Sequence, residues 1–356
     1  VAQVLYFYRN LKPILARAYN PDLVGSPKWQ DSAIRGILDD LRGVPFGYFA
    51  NGTARLQYEN EPDSTSWVVS VYRNNRRAHP TKALAKQMEK WAKEWAADPK
   101  TLGRDQGFLE IFIPTERAYF TRLKSQPSVL YAPYQPLLFK QFADHLASAG
   151  EIYQIFLRER AWLEPAQLEI FDFVLARQKE ALKGDAYVPK AGHKLWKWRF
   201  PVEHKNRIIP IEATASGQME AWPIFIIAAT GGTHFKYTTY IEEPETHLHP
   251  MAQWVIMKTI AFLINRGRRF LITTHSPFII YALNNMLQRY QSLRGQIPQG
   301  QEAWIDPSMV AAYRLSRGQA IDIMEHGEIG LINAEELEEV AEDLGTEFED
   351  LLSQMD

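Results

Sequence analysis

Two adjacent carboxylates, a histidine further along and a Ser-Gly pair upstream are the residues of this sequence best spaced for chemistry. The carboxylates are Glu242 and Glu243, in the run YTTYIEEPETHLHP that ends at Pro250. One of them can hold Mg²⁺ through oxygen, directly or through water, and the other can orient or deprotonate an attacking water. A lone Glu-Glu pair after a strand is more often a solvated loop, so the neighbours decide. His275 lies in RFLITTHSP, at the end of a second strand-like run. From a neighbouring strand end, its ring can hydrogen-bond a terminal phosphate and register its presence. Upstream, the run ATASGQ places Ser216, Gly217 and Gln218 at a helix start. There a hydroxyl, backbone N–H groups and the helix dipole all favour a phosphate. The ordinary alternative is a serine that merely caps its helix.

These groups need elements to carry them. Strands over residues 237–241 and 269–273 alternate with helices over 251–266 and 277–288. That alternation implies parallel strands in an α/β sheet. Ligands of such sheets bind beyond the carboxyl ends of the strands, where Glu242, Glu243 and His275 fall. A helix is expected over 218–229, before Gly231 and Gly232. A further strand over 107–113 stops at Pro114, and Glu116 and Arg117 follow it. These two either contact a nucleotide, couple to the helical insertion over 134–193, or form a surface ion pair. Residues 134–183 read as helical, and strands over 194–200 and 207–211 are joined by a turn at 203–206. Nearer the start are helices over 1–19, 32–41 and 82–97, and strands over 54–59 and 66–72. The tail holds a hairpin over 309–325 and an acidic helix over 334–352. The resulting division is an N-terminal part (1–133), a helical insertion (134–193), a core with the chemical residues (194–300) and a C-terminal hairpin and helix (301–356).

Bulk properties set the frame. The 356 residues are 46% hydrophobic, enough for a sizeable core. A net charge of −2 gives no whole-chain argument for nucleic-acid binding, although a local basic patch is compatible with it. The alternating aromatic and basic run 195–199 is read as a strand rather than a stacking platform. With no cysteine, disulfides and thiolate-held zinc are excluded, and a cytoplasmic setting fits. No apolar run is long enough for a transmembrane helix. The helical periodicity begins at Val1 itself without a capping residue, so the expectation is that more chain precedes it.

Together, TASGQ, YIEEPETHLHP and LITTHSP resemble the signature, the Walker B segment with its D-loop, and the switch histidine of ABC-type ATPases. The wording EPETHLHP and TTHSP resembles the RecF/OLD/SMC-like branch, which includes ATPases of bacterial anti-phage systems. The likeness is close over 194–287 and looser over IFIPTER (111–117). It implies a P-loop NTPase head of α/β class with a mixed sheet, flanking helices and a helical insertion. It implies ATP and Mg²⁺ as cofactors, with Glu242 on the metal side, Glu243 as catalytic carboxylate and His275 as the switch. Ser216, Gly217 and Gln218 would face ATP held by a second copy, and Glu245 and His249 would lie along that seam. The resemblance further implies a homodimer or higher oligomer of heads acting on an effector such as a nuclease or toxin, without a membrane. A repair ATPase acting on DNA and a non-hydrolysing scaffold for a toxin or nuclease are the alternatives. The sequence departs from the family in one respect: no GxxxxGK[ST] loop occurs in residues 1–356. Hydrolysis is therefore expected on the condition that this loop precedes Val1.

Overall fold

The structure, a computed structural model, describes residues 53–60, 65–72, 78–80, 90, 109–118, 137–187, 197–202, 205–210, 213–231, 237–296, 303–316, 319–325, 330–334, 343 and 345–348. The helices expected over 1–19 and 32–41 lie outside these residues, as do nearly all of the one over 82–97 and most of the one over 334–352.

The centre is a three-stranded parallel sheet in the order β4 (Leu109–Ile113), β8 (Tyr237–Glu242), β9 (Arg269–Thr273). Its strands are short apolar runs, and Phe112, Ile113, Tyr240 and Ile241 are buried, as a sheet covered on both faces requires. The register pairs Ile113 with Ile241 and Glu242 with Thr273, so all three strands finish at one edge. This is the α/β class expected from the alternation.

Among the described residues, five α-helices accompany the sheet: α1 (Leu137–Arg158), α2 (Pro165–Leu182), α3 (Ser216–Thr230), α4 (Pro250–Ile264) and α5 (Pro277–Ser292). Helix α3 is buried along nearly all of its length, from Gly217 to Thr230, and α4 is buried almost as fully. Such all-round apolar helices belong in the middle of a domain rather than on its surface. Helices α1 and α2 join the same core through Phe142, Tyr153, Phe171 and Val174, which lie in one cluster with Trp222 and Ile256. Arg268 closes the far end of α3. Its guanidinium donates to the carbonyls of Ala228 and Gly231, which the helix itself leaves without partners. A Cβ at Gly231 would meet that guanidinium at 2.8 Å, so a larger residue there would push Arg268 aside.

Antiparallel strands form the remaining sheets. β1 (Thr53–Asn60) pairs with β2 (Thr65–Tyr72), and β2 with β3 (Ala78–Pro80). β5 (Asp185–Tyr187) pairs with β6 (Lys197–Val202), and β6 with β7 (Lys205–Pro210). β10 (Tyr313–Ser316) and β11 (Gln319–Asp322) make the hairpin of the tail. Strands β3 and β5 were not expected. At three residues each they are too short to show an alternating pattern. No described helix is long and apolar enough to cross a membrane.

Candidate functional site

The loop that leaves β8 runs from Glu243 to His249 and makes two left-handed bends, at Glu243 (φ 44°) and His247 (φ 58°). Neither residue is glycine, and each such conformation costs about 1–3 kcal/mol unless its surroundings enforce it. At Glu243 they do. Its N–H donates to Thr273 O at 2.9 Å, which continues the β8–β9 ladder by one step. Its carbonyl accepts three hydrogen bonds: from Thr246 N at 3.1 Å, from Thr246 Oγ1 at 2.8 Å and from Arg117 Nη2 at 2.8 Å.

This bend brings the Glu243 carboxylate to the His275 ring. Glu243 Oε1 and His275 Nε2 are 3.9 Å apart, on side chains that are 37% and 90% exposed. Both groups face solvent at the carboxyl edge of the sheet. Glu242, the last residue of β8, is half-buried beside them.

A second set of contacts stitches the loop after β8 to the loop after β9. Glu245 Oε1 accepts from Thr274 Oγ1 at 2.7 Å and from the His275 backbone N–H at 2.8 Å. The Thr274 hydroxyl accepts from Ser276 N. Ser276 Oγ donates to Gln253 Oε1 at 2.6 Å, and Gln253 Nε2 donates back to Leu248 O. Glu245 therefore fixes the backbone that carries His275. Its other oxygen, Oε2, is buried and has no hydrogen-bond partner among the described residues.

The start of α3 lies against the same loop. A Cβ on Gly217 would sit 2.4 Å from the His247 carbonyl oxygen, so only glycine permits this approach. Ser216 is exposed as the first residue of α3, and Ala215, not Ser216, is the N-cap. Gln218 is engaged within the chain. Its Oε1 accepts from Ala215 N at 3.1 Å and its Nε2 donates to Leu182 O at 2.7 Å. His249 is likewise occupied as N-cap of α4, with Nδ1 accepting from Met251 N at 3.2 Å.

Arg117 is the residue that the sequence left undervalued. It forms no surface ion pair: it is fully buried beneath the β8 edge. Its Nε donates to Glu220 O, Nη1 to the carbonyls of Pro114 and Glu242, and Nη2 to that of Glu243, all at 2.8–3.0 Å. The Glu220 carboxylate lies 3.5 Å from Arg117 Nε and pairs with it by charge, since the Nε hydrogen points to the Glu220 carbonyl instead. Burial lowers the pKa of Arg117, and Glu220 foremost, then Glu245, Glu243 and Glu242, oppose the fall. Burial also pushes the Glu220 carboxyl up, against the pull of Arg117.

The donor set suits a hard divalent cation bound together with phosphate. Among the described residues no three His, Asp or Glu side chains converge to hold a metal alone. Mg²⁺ commonly takes one or two protein carboxylates and completes its shell with water and phosphate oxygens. Glu242 and Glu243 can supply the carboxylate share.

Residues 131–280 match the family model described as the AAA ATPase domain. That stretch is less than half of the chain. It contains Ser216, Glu242, Glu243, Glu245, His249 and His275, and it leaves out β4 and Arg117. No curated protein matches the chain by sequence. Among solved structures, the Smc head domain with an extended coiled coil, bound to the C-terminal domain of ScpA, from Pyrococcus furiosus is similar at 13% identity. That similarity covers 78% of this chain and 82% of the other, with a TM-score of 0.33, too low for an argument to rest on it. The β4–β8–β9 core is a parallel sheet of α/β class, and residues 131–280 are similar to an AAA ATPase domain.

Proposed function

We propose that this chain is the larger part of an ABC-type ATPase head that hydrolyses ATP with Mg²⁺ between two copies of itself, and so controls a partner effector in anti-phage defence. The observation that carries the reading is the pairing of the Glu243 carboxylate and the His275 ring, 3.9 Å apart and open to solvent at adjacent strand ends. Glu243 is the base that orients and activates water. His275 donates a hydrogen bond to the terminal phosphate. Glu242 holds the metal side. When bound, Mg²⁺ would offset the charge that develops on the phosphate oxygens.

Ser216 is offered outward to nucleotide on the second copy, and its exposure at the first turn of α3 supports that role. Gly217 serves the site by letting α3 approach His247. Gln218, Glu245 and His249 support it by shaping the loops they cap or cross-link. The defence setting is supported by the EPETHLHP and TTHSP wording alone. The reading needs a phosphate-cradling loop that residues 1–356 do not contain, and the proposal is that this loop precedes Val1.

The test is the ATP turnover of the full-length protein beside its Glu243→Gln variant. The expected result is Mg²⁺-dependent hydrolysis that falls about 10²–10⁴-fold in the variant while ATP binding persists. Unchanged turnover in the variant would remove Glu243 from the chemistry.

A further inference from the structure

Arg117 takes no direct part in the chemistry above, yet among the largest fully buried side chains of the described residues it is the only charged one. We infer that Arg117 is a positioning residue: it fixes the main chain of Glu242 and Glu243 in the reactive geometry and ties it to α3. One guanidinium thereby sets both the carboxylates a head uses itself and the Ser216 end it offers to a second copy. The inference rests on the proposed function and adds to it the residue that couples the two halves of the site.

Stability alone is a poor reason for this arginine. A buried ion pair is often no more stabilising than well-packed apolar residues of the same volume. The direction of the donors supplies the better reason. They go to carbonyls on three separate elements: Pro114 after β4, Glu220 in α3, and Glu242 with Glu243 at the end of β8. Two of these acceptors belong to the carboxylate residues themselves. Glu243 has a left-handed backbone, and a relaxed right-handed one would turn its carboxylate away from His275. The three hydrogen bonds on its carbonyl oppose that relaxation, and the one from Arg117 comes from outside the loop. The fourth acceptor, Glu220, lies one helical turn beyond Ser216. A shift of α3 is thus transmitted to the Glu243 peptide through a rigid planar group. Lysine, a point charge on a flexible stem, cannot span these acceptors.

The experiment uses the full-length protein with Arg117→Lys, alone and combined with Glu243→Gln. Three readings are taken: the melting temperature, the split of ATP hydrolysis into kcat and KM, and hydrogen exchange at the amides of Glu243 and Thr246. Arg117→Lys is expected to lower kcat about 100-fold, the effect of a small misplacement of a reacting group, while KM for ATP changes less than about threefold. In the Glu243→Gln background the same change should cost less than about threefold more, because the two residues act as a unit. Exchange at both amides should quicken in the lysine variant.

Full additivity of the two substitutions overturns the inference. So does a raised KM with kcat retained, or unchanged protection of the two amides. If the wild-type protein hydrolyses no ATP, the functional reading fails on its own, and the exchange data alone decide whether Arg117 holds the loop. If Arg117→Lys does not fold, the pair Arg117→Met with Glu220→Met removes both buried charges together and takes its place, with the same expected and contrary outcomes.

Discussion

The two sides of the β8 edge are built differently. On the outer side, the Glu243 carboxylate is partly exposed and the ring of His275 is nearly bare. On the inner side, Arg117 is enclosed and bonded to four main-chain carbonyls, and Glu245 is tied to the hydroxyl and backbone of the next loop. The groups suited to chemistry contribute little to packing, and the groups that pack act on the outer face only through the main chain they hold. Outer-side substitutions should therefore change activity with little change of stability, and inner-side substitutions should change both.

The largest stability effect is expected on the inner side. Arg117→Ala leaves the Glu220 carboxylate buried without its partner and should cost about 3–5 kcal/mol in a denaturant titration, as breaking one half of a buried pair does. A cost below about 1 kcal/mol, the level of an exposed ion pair, would show that the burial of Arg117 is incidental. Next comes the seam between α3 and the loop. Gly217→Ala puts a Cβ against the His247 carbonyl and should cost about 1–3 kcal/mol by overpacking. A neutral result would mean that α3 approaches the loop less closely. The smallest effect on stability belongs to the outer side: His275→Ala should stay within about 0.5 kcal/mol of wild type while its turnover drops. A large loss of stability there would erase the distinction between the two sides.

The placement of Glu242, Glu243 and His275 at one sheet edge could be read from sequence because it follows a pattern. Apolar runs ended in Glu242-Glu243 and in Thr274-His275, with one helix between them, and parallel strands so connected must finish at the same edge. The supporting face has no such pattern. Arg117 finds its acceptors on main-chain carbonyls more than a hundred residues away, at Glu220, Glu242 and Glu243, and a carbonyl has no signature in the sequence. An arginine four residues past an apolar strand therefore looks like an ordinary surface charge. The resemblance puts Gln218 toward nucleotide and His249 along the seam, and both side chains also have partners within the chain: Gln218 closes the start of α3 and reaches Leu182 O, and His249 caps α4. Ser216 resembled a cap, and the backbone turns one residue earlier, at Ala215, leaving its hydroxyl outside.

Whether one copy completes the site of another is best decided by mixing two inactive variants of the full-length protein, Glu243→Gln and Ser216→Arg. Each alone should be slow, the first for want of its carboxylate and the second because it blocks the neighbouring copy. If the site is shared, every mixed pair holds one whole site, made of the wild-type Glu243 of one copy and the wild-type Ser216 of the other. An equal mixture should then regain about a quarter of the wild-type rate, since half of the pairs are mixed and one of their two sites is whole. No recovery on mixing, or full activity in the Ser216→Arg protein by itself, would contradict a site assembled from two heads.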